Sequence, residues 1–199
     1  MIVLGLDTTG SHCACAIVDD HRVLAHISEP MGRGHAERLA PMVAEALALA
    51  QLTAADIDRL SVCTGPGSFT GQRVALAFAR GFALPRRLPV IGLDALSVKA
   101  REIEFTTGDA LVGVMRDIRR GQVFYASFSH GRPLSPPRAM TLTEADEEAD
   151  TLQAAVYDAD TVDTRILAWL AIDLSPATHP PVSLYSRAPD AKLPGGIDP

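Results

Sequence analysis

The sequence predicts an α/β protein built as two related lobes, and three observations predict it. Strand-like and helix-like runs follow one another in the order βββ-α-β-α-β-α through the first half. The second half opens on a run that echoes the first. The chain is 199 residues long and 47% hydrophobic, enough to bury a real core.

The elements follow in order. Residues 1–8, with Ile2-Val3-Leu4-Gly5-Leu6 at their centre, read as a buried strand; 13–18 read as a second strand with short alternation and 23–27 as a third. Polar turns between them make a meander. A helix is expected over 37–51, and Thr53 with Asp56 three residues later marks a short capped helix. A strand over 60–63 leads through a glycine loop into a helix over 74–84, then a strand over 89–93 and a helix over 96–103. This order fits a mixed sheet with helices packed on it. In the second half, an apolar strand over 110–115 reaches Asp117 and a strand follows over 122–128, just as Leu4-Gly5-Leu6 reaches Asp7 before its next strand. The echo places a boundary near residues 106–109, dividing the chain into a lobe of residues 1–106 and a reduced lobe of residues 107–199. Pro133, Pro136 and Pro137 interrupt the second lobe, 143–150 is an acidic helical stretch, a short helix is expected over 163–172, and a proline-bounded tail begins at Pro180.

Bulk chemistry narrows the function. A net charge of -6 opposes autonomous binding to a nucleic-acid backbone, which needs a basic footprint. The apolar runs are too short to span a bilayer, and the N-terminus enters its strand with neither basic region nor cleavage site, so a cytoplasmic protein is expected. Cys13, Cys15 and Cys63 are an odd number in expected strands, which suits buried thiols used as apolar filler rather than a disulfide framework.

The loop Gly65-Pro66-Gly67-Ser68-Phe69-Thr70-Gly71 joins a strand to a helix, where free backbone N–H groups can bind an anion. Gln72 and Arg73 follow Gly71 in place of the lysine and hydroxyl of a P-loop. Two readings stay open: a weak anion or nucleotide contact through Asp7, Thr8, Gly67 and Ser68, or a tight connector in which Ser68 or Thr70 caps the helix. Gly67-Ser68 places the serine directly after its glycine, so the nucleophile elbow is not met. His35-Ala36-Glu37 lacks the paired cysteines of a zinc deaminase, and His12, Cys13 and Cys15 do not close a zinc set, so neither metal site nor catalytic set is expected. Asp117, like Asp7, stays open between a carboxylate that faces phosphate or magnesium-bound water and a strand-end carboxylate bonding local N–H groups, and Arg116, Arg119 and Arg120 are expected as a solvated turn.

The two long helices carry too much apolar surface for one packing face. On a wheel, Leu39, Val43, Ala46, Leu47 and Ala50 face the sheet; Met42 and Leu49 lie on one flank and Ala40, Ala44 and Ala48 on the other, leaving a polar strip near Arg38 and Glu45. The second helix shows the same excess around Arg73, Leu76 and Arg80. Each large side chain left wet forgoes roughly 1.5 to 3 kcal/mol. A partner protein, or the second lobe folded over them, would remove that exposure.

Leu4-Gly-Leu-Asp-Thr-Thr9, His35-Ala-Glu-Arg-Leu39 with Pro41-Met42, the loop from Gly65 to Arg73, Pro89-Val-Ile-Gly92, Asp117-Ile-Arg-Arg-Gly-Gln-Val-Phe-Tyr125 and Leu184-Tyr-Ser-Arg-Ala-Pro-Asp190 together resemble the bacterial TsaB (YeaZ) family. The resemblance implies the actin, sugar-kinase and chaperone-ATPase fold, whose lobes are ribonuclease-H-like. It also implies a non-catalytic subunit of the machinery that makes N6-threonylcarbamoyladenosine (t6A) in tRNA. The family's catalytic paralogue, TsaD, carries a metal-binding His-x-x-x-His motif and transfers threonylcarbamoyl from an adenylate to an adenosine of tRNAs that read ANN codons. Here Leu39 stands where the second histidine would be. The resemblance further implies a heterodimer with TsaD through helices of the first lobe, an ATPase subunit TsaE, homodimers through a similar surface, and tRNA met through the complex. ATP and metal would then belong to the partner subunits. On that basis Ala40, Met42, Ala44, Ala48, Leu49, Arg73, Leu76 and Arg80 are the expected partner surface. An ATP-dependent phosphotransferase of the same fold and a metallopeptidase-like protein are the competing readings.

Overall fold

In the computed structural model, which describes residues 1–184, the opening apolar runs pair at once. Strand β1 (Val3–Asp7) lies antiparallel to β2 (His12–Val18), and β2 antiparallel to β3 (Val23–Pro30). On its other side β1 is parallel to β4 (Arg59–Cys63), which is parallel to β5 (Val90–Leu93). The order β3-β2-β1-β4-β5 is that of a ribonuclease-H-like lobe. Every residue of β1 is buried, because helices cover both faces of the sheet; this is why the strand reads as an unbroken apolar run.

Side chains alternate between the two faces. Leu4, Leu6, Cys13, Cys15 and Ile17 point toward helices α1 (His35–Leu49) and α2 (Phe69–Ala83). Val3, Val18 and Cys63 point the other way, into a core shared with α3 (Ala95–Thr107) and with the second sheet. In that sheet β6 (Leu111–Asp117) pairs antiparallel with β7 (Gln122–Ser129), which also carries β8 (Arg132–Pro133) and β9 (Arg138–Thr141). Helix α4 (Leu142–Leu152) then leads to β10 (Ala155–Asp158), parallel to β6. The echo seen in the sequence is therefore a repeated arrangement: β10-β6-β7 reproduces β4-β1-β2.

Strands β9 and β10 are absent from the reading of the sequence, since Arg-Ala-Met-Thr and Ala-Val-Tyr-Asp are too short and mixed to show a period. Helix α2 starts five residues before the expected 74, because the Ser68 hydroxyl accepts the Gly71 N–H at 3.2 Å and caps it. Helix α3 runs past 103 to Thr107 and stops at Gly108, whose φ of +81° suits only glycine well. The acidic stretch 143–150 is indeed helical, within α4, and opens with a capping box of Thr141 and Glu144.

The division at residue 106 does not carry through to the packing. Helix α5 (Thr164–Leu170) lies on β1 and β2 of the first sheet, although it follows the whole of the second. Gly5 makes that approach possible: a Cβ there would stand 2.6 Å from the Thr164 carbonyl oxygen. The Arg59 guanidinium on β4 holds the far end, donating to the carbonyls of Ala171, Ile172 (3.0 Å) and Leu174 (2.7 Å), where a helix C-terminus leaves acceptors open. Trp169 Nε1–H donates to the Asp19 carbonyl at 3.0 Å. No helix among the described residues is long and apolar enough to cross a membrane.

Arg59→Ala should leave those carbonyls unpaired and lower stability by about 2 kcal/mol. In thermal unfolding followed by circular dichroism this is a fall of about 4–8 °C in Tm; an unchanged Tm would show that Arg59 does not hold α5.

Candidate partner interface

Helix α1 is amphipathic in an unusual sense: its charged side is engaged with the protein and part of its apolar side faces solvent. Arg38 donates from Nε to Glu29 on β3 at 2.7 Å, and from Nη1 and Nη2 to Glu45, about two turns further along the same side of the helix, at 2.8 Å each. These bonds hold the Glu29 and Glu45 carboxyls below the ordinary carboxylate range. With the charged strip turned toward β3, Leu39, Met42, Val43 and Ala46 point inward, while Ala40, Ala44 and Ala48 are exposed and Leu49 is 66% exposed.

Helix α2 lies against α1 and shows a similar face. Gly71, Gln72, Ala75, Leu76, Ala79 and Ala83 are buried. Phe69, Arg73, Ala77, Arg80 and Gly81 are exposed, with Leu84 just beyond the helix at 76%. The Arg73 guanidinium stacks 3.7 Å over the Phe69 ring, a cation–π contact. Half-buried Phe78 and Phe82 pair at 6.0 Å between centroids.

Of the residues expected at a partner surface, Ala40, Ala44, Ala48, Leu49, Arg73 and Arg80 lie exposed on this pair of helices. Met42 and Leu76 do not; both are core residues. Met42 belongs to the inward stripe of α1 with Leu39, Val43 and Ala46, and Leu76 to that of α2 with Gln72, Ala75, Ala79 and Ala83. Phe69, Ala77 and Leu84 are exposed on α2 or just beyond it and are not among the expected residues. Phe69 precedes the expected start at 74 and enters the helix only because Ser68 caps it, whereas Ala77 and Leu84 lie within the expected span. Among the described residues, α1 packs chiefly on β2, β3 and α2, and α2 on α1, β1, β4, β5 and the turn after it, with Arg80 of α2 also bonded to Pro181. The second sheet does not form the seat of either helix.

The glycine loop is filled by the protein itself. The Ser68 N–H donates to the Thr9 carbonyl at 2.8 Å, and the Thr8 hydroxyl to the Gly71 carbonyl at 2.6 Å. A Cβ on Gly67 would stand 2.4 Å from the Thr9 carbonyl oxygen, and one on Gly71 1.9 Å from that of Thr8. Glycine is needed here because the β1–β2 turn occupies the space. Asp7 and Thr8 are buried, Gly67 is half-buried and Ser68 is exposed as the α2 cap. The four are brought together, bonded largely within the turn and loop.

Asp7 Oδ1 accepts the N–H and hydroxyl of Thr9, each at 2.8 Å. Burial nevertheless raises its pKa above the ordinary 3.8, outweighing those bonds and the nearby Arg116. Asp117 sits at the matching place of the second sheet and accepts the Arg119 N–H at 2.6 Å, the local bond expected of a strand-end carboxylate. Arg116 departs from the expected solvated turn: it is buried, donating to the carbonyls of Thr9 (3.2 Å) and Ala159 and pairing with Asp160 at 3.1 Å. Its strand position, pointing between the sheets, decides this.

His35 opens α1 behind Gly34. Cys13 and Cys15 share one buried face of β2, and burial pushes their thiols up to about 11 and about 12, leaving them protonated and unreactive near neutrality. Among the described residues no three His, Cys, Asp or Glu side chains group in a way that could hold a metal ion. Of the quoted stretch Leu184-Tyr-Ser-Arg-Ala-Pro-Asp190, all but Leu184 lies outside the described residues.

Comparison with known proteins adds to this geometry. A family model described as TsaD, tRNA N6-adenosine threonylcarbamoyltransferase, matches residues 23–134, more than half of the chain. The chain is 36% identical over 128 residues to the tRNA threonylcarbamoyladenosine biosynthesis protein TsaB of Escherichia coli (strain K12), covering 64% of this chain and 55% of that protein. It is 33% identical over 203 residues to an uncharacterized protein of Mycobacterium tuberculosis (strain ATCC 25618 / H37Rv), covering 96% of this chain and 93% of the other. The chain spans 56% of an uncharacterized protein of Mycobacterium leprae, so it covers little more than half the length of two relatives it matches. Among solved structures, YeaZ from Pseudomonas aeruginosa superposes with a TM-score of 0.73 at 23% identity, covering 92% of this chain and 99% of that one, a likeness of fold.

Asp7→Asn keeps an oxygen for Thr9 and removes the buried charge. Because the folded pKa of Asp7 is raised, the wild-type carboxylate destabilises the fold above that pKa and ceases to do so as it protonates. The variant should melt higher than wild type at pH 7, with the excess vanishing as pH falls toward 3.8. A lower Tm at pH 7 would show instead that the ionised group stabilises the junction.

Proposed function

Since the chain belongs to the TsaB (YeaZ) family, we propose that it serves t6A biosynthesis in tRNA as a non-catalytic scaffold subunit that binds and activates the catalytic paralogue TsaD. One observation carries this reading: on α1 the charged strip is tied to β3 while Ala40, Ala44, Ala48 and Leu49 face solvent. Apolar side chains that the described elements leave uncovered favour a partner surface, each large one by roughly 1.5 to 3 kcal/mol when buried. Small alanines suit the close approach of another helix.

TsaD is the occupant this reading assigns, with TsaE joining the assembly and tRNA bound through the complex rather than by this acidic chain alone. The same face would close a homodimer when TsaD is absent. ATP and metal belong to the partner subunits, and the setting is the cytoplasm. The filled glycine loop supports a packing role over a phosphotransferase site, because the Thr8 and Thr9 carbonyls stand where a phosphate would approach the loop glycines.

Ala44→Glu and Leu49→Glu should each abolish co-purification with TsaD while leaving the far-UV circular dichroism of the isolated chain unchanged. Association that survives both substitutions would exclude this face. Titration calorimetry with Mg-ATP on the isolated chain should give no micromolar binding; such binding would favour the phosphotransferase.

A further inference from the structure

Residues 179–184 form a strap across the outer edge of β5 and the end of β4. The Gly92 N–H donates to the His179 carbonyl at 2.9 Å, and the Leu184 N–H to the Thr64 carbonyl at 2.8 Å. A Cβ on Gly92 would stand 2.5 Å from the Pro180 oxygen and 2.9 Å from the Pro181 Cα, so the position accepts no side chain while the strap is seated. The strap thereby pairs an edge strand that would otherwise be open. A further anchor comes from α2: Arg80 Nη2 donates to the Pro181 carbonyl at 2.7 Å. Arg80 stands on the exposed side of that helix beside Gly81, and the next strap residue, Val182, is 61% exposed.

We propose that the strap is part of the partner-binding surface, and that its seating on Gly92 and Arg80 is coupled to docking of TsaD. This rests on the reading of the α1–α2 face as the TsaD surface. A body that covers α2 removes water from the Arg80 guanidinium. A guanidinium taken out of water needs its acceptor, and a charge-assisted bond to a carbonyl gains strength as water leaves. The Pro181 carbonyl is that acceptor. Docking therefore strengthens the strap's anchor, and by linkage a seated strap raises the affinity for TsaD by the same factor. Val182, exposed, follows directly on the Pro181 carbonyl that Arg80 holds.

The test uses the full chain and purified TsaD. Hydrogen exchange at the Gly92 and Leu184 amides should slow threefold or more when TsaD is bound. Gly92→Ala, which displaces the strap while leaving the sequence of α2 unchanged, should raise the Kd for TsaD threefold or more while keeping the wild-type far-UV spectrum. Should that variant fail to fold, the exchange rates of the wild-type chain decide. Loss of binding in Leu49→Glu, with exchange unchanged by TsaD and a Gly92→Ala Kd within threefold of wild type, would overturn the strap's role and leave the partner surface standing. Undiminished binding in Leu49→Glu would overturn the surface and the strap's role together. Slowing of the two amides by self-association alone, with none added by TsaD, would assign the strap to a homodimer and overturn the proposal.

Discussion

The turn at the end of β1 is the constraint on which the rest of the structure depends. The Thr9 carbonyl accepts the Ser68 N–H from the glycine loop and an Arg116 N–H from the second sheet. Thr8 holds the start of α2 through the Gly71 carbonyl, and Gly10 lies so near the Asp160 carbonyl that a Cβ there would stand 1.7 Å away. A few residues thus join the first sheet, the α2 N-terminus and the segment between β10 and α5. Buried backbone groups must find partners, and here segments distant in sequence supply them to one another.

That junction has a consequence for function. The end of a β-strand facing a glycine loop and a helix N-terminus is a place where a phosphate can bind, yet in this chain the approach is occupied by the chain's own carbonyls. Asp7 is held against Thr9 and pushed toward its neutral form by burial. Apart from this closed end, apolar side chains remain exposed on the helix pair, Ala44 and Leu49 among them. Helix α1 turns Arg38 and Glu45 toward β3 and presents alanine to water, the reverse of the pattern expected of a free surface helix.

Much of this was legible in the residues. The order of strands and helices through residue 103, the echo of Asp7 at Asp117, the Thr53–Asp56 cap and the excess apolar surface of the two long helices follow from period, capping residues and composition. Strands β9 and β10 were not legible, because four-residue strands of mixed polarity carry no period and form only where a neighbouring strand offers its edge. Met42 lies in the core and not on the expected flank of α1 for a related reason. A wheel gives the spacing of side chains around a helix, while the sector that becomes buried depends on the elements packed against it, here β2, β3 and α2. Arg116 was read as solvated since nothing adjacent in sequence announces the carbonyls of Thr9 and Ala159.

The sequence by itself determined the α/β class, the doubled plan and the presence of more apolar helix surface than one sheet face can hide. Local rules suffice for these, since strand period, helix period and caps act within a few residues. Only the tertiary structure decided that α5 crosses from the second half to cover the first sheet, that Gly67 and Gly71 serve close packing, and which alanines remain in water. Those outcomes depend on contacts between residues far apart in the chain, where a missing Cβ at Gly5 or one guanidinium at Arg59 settles which element fits.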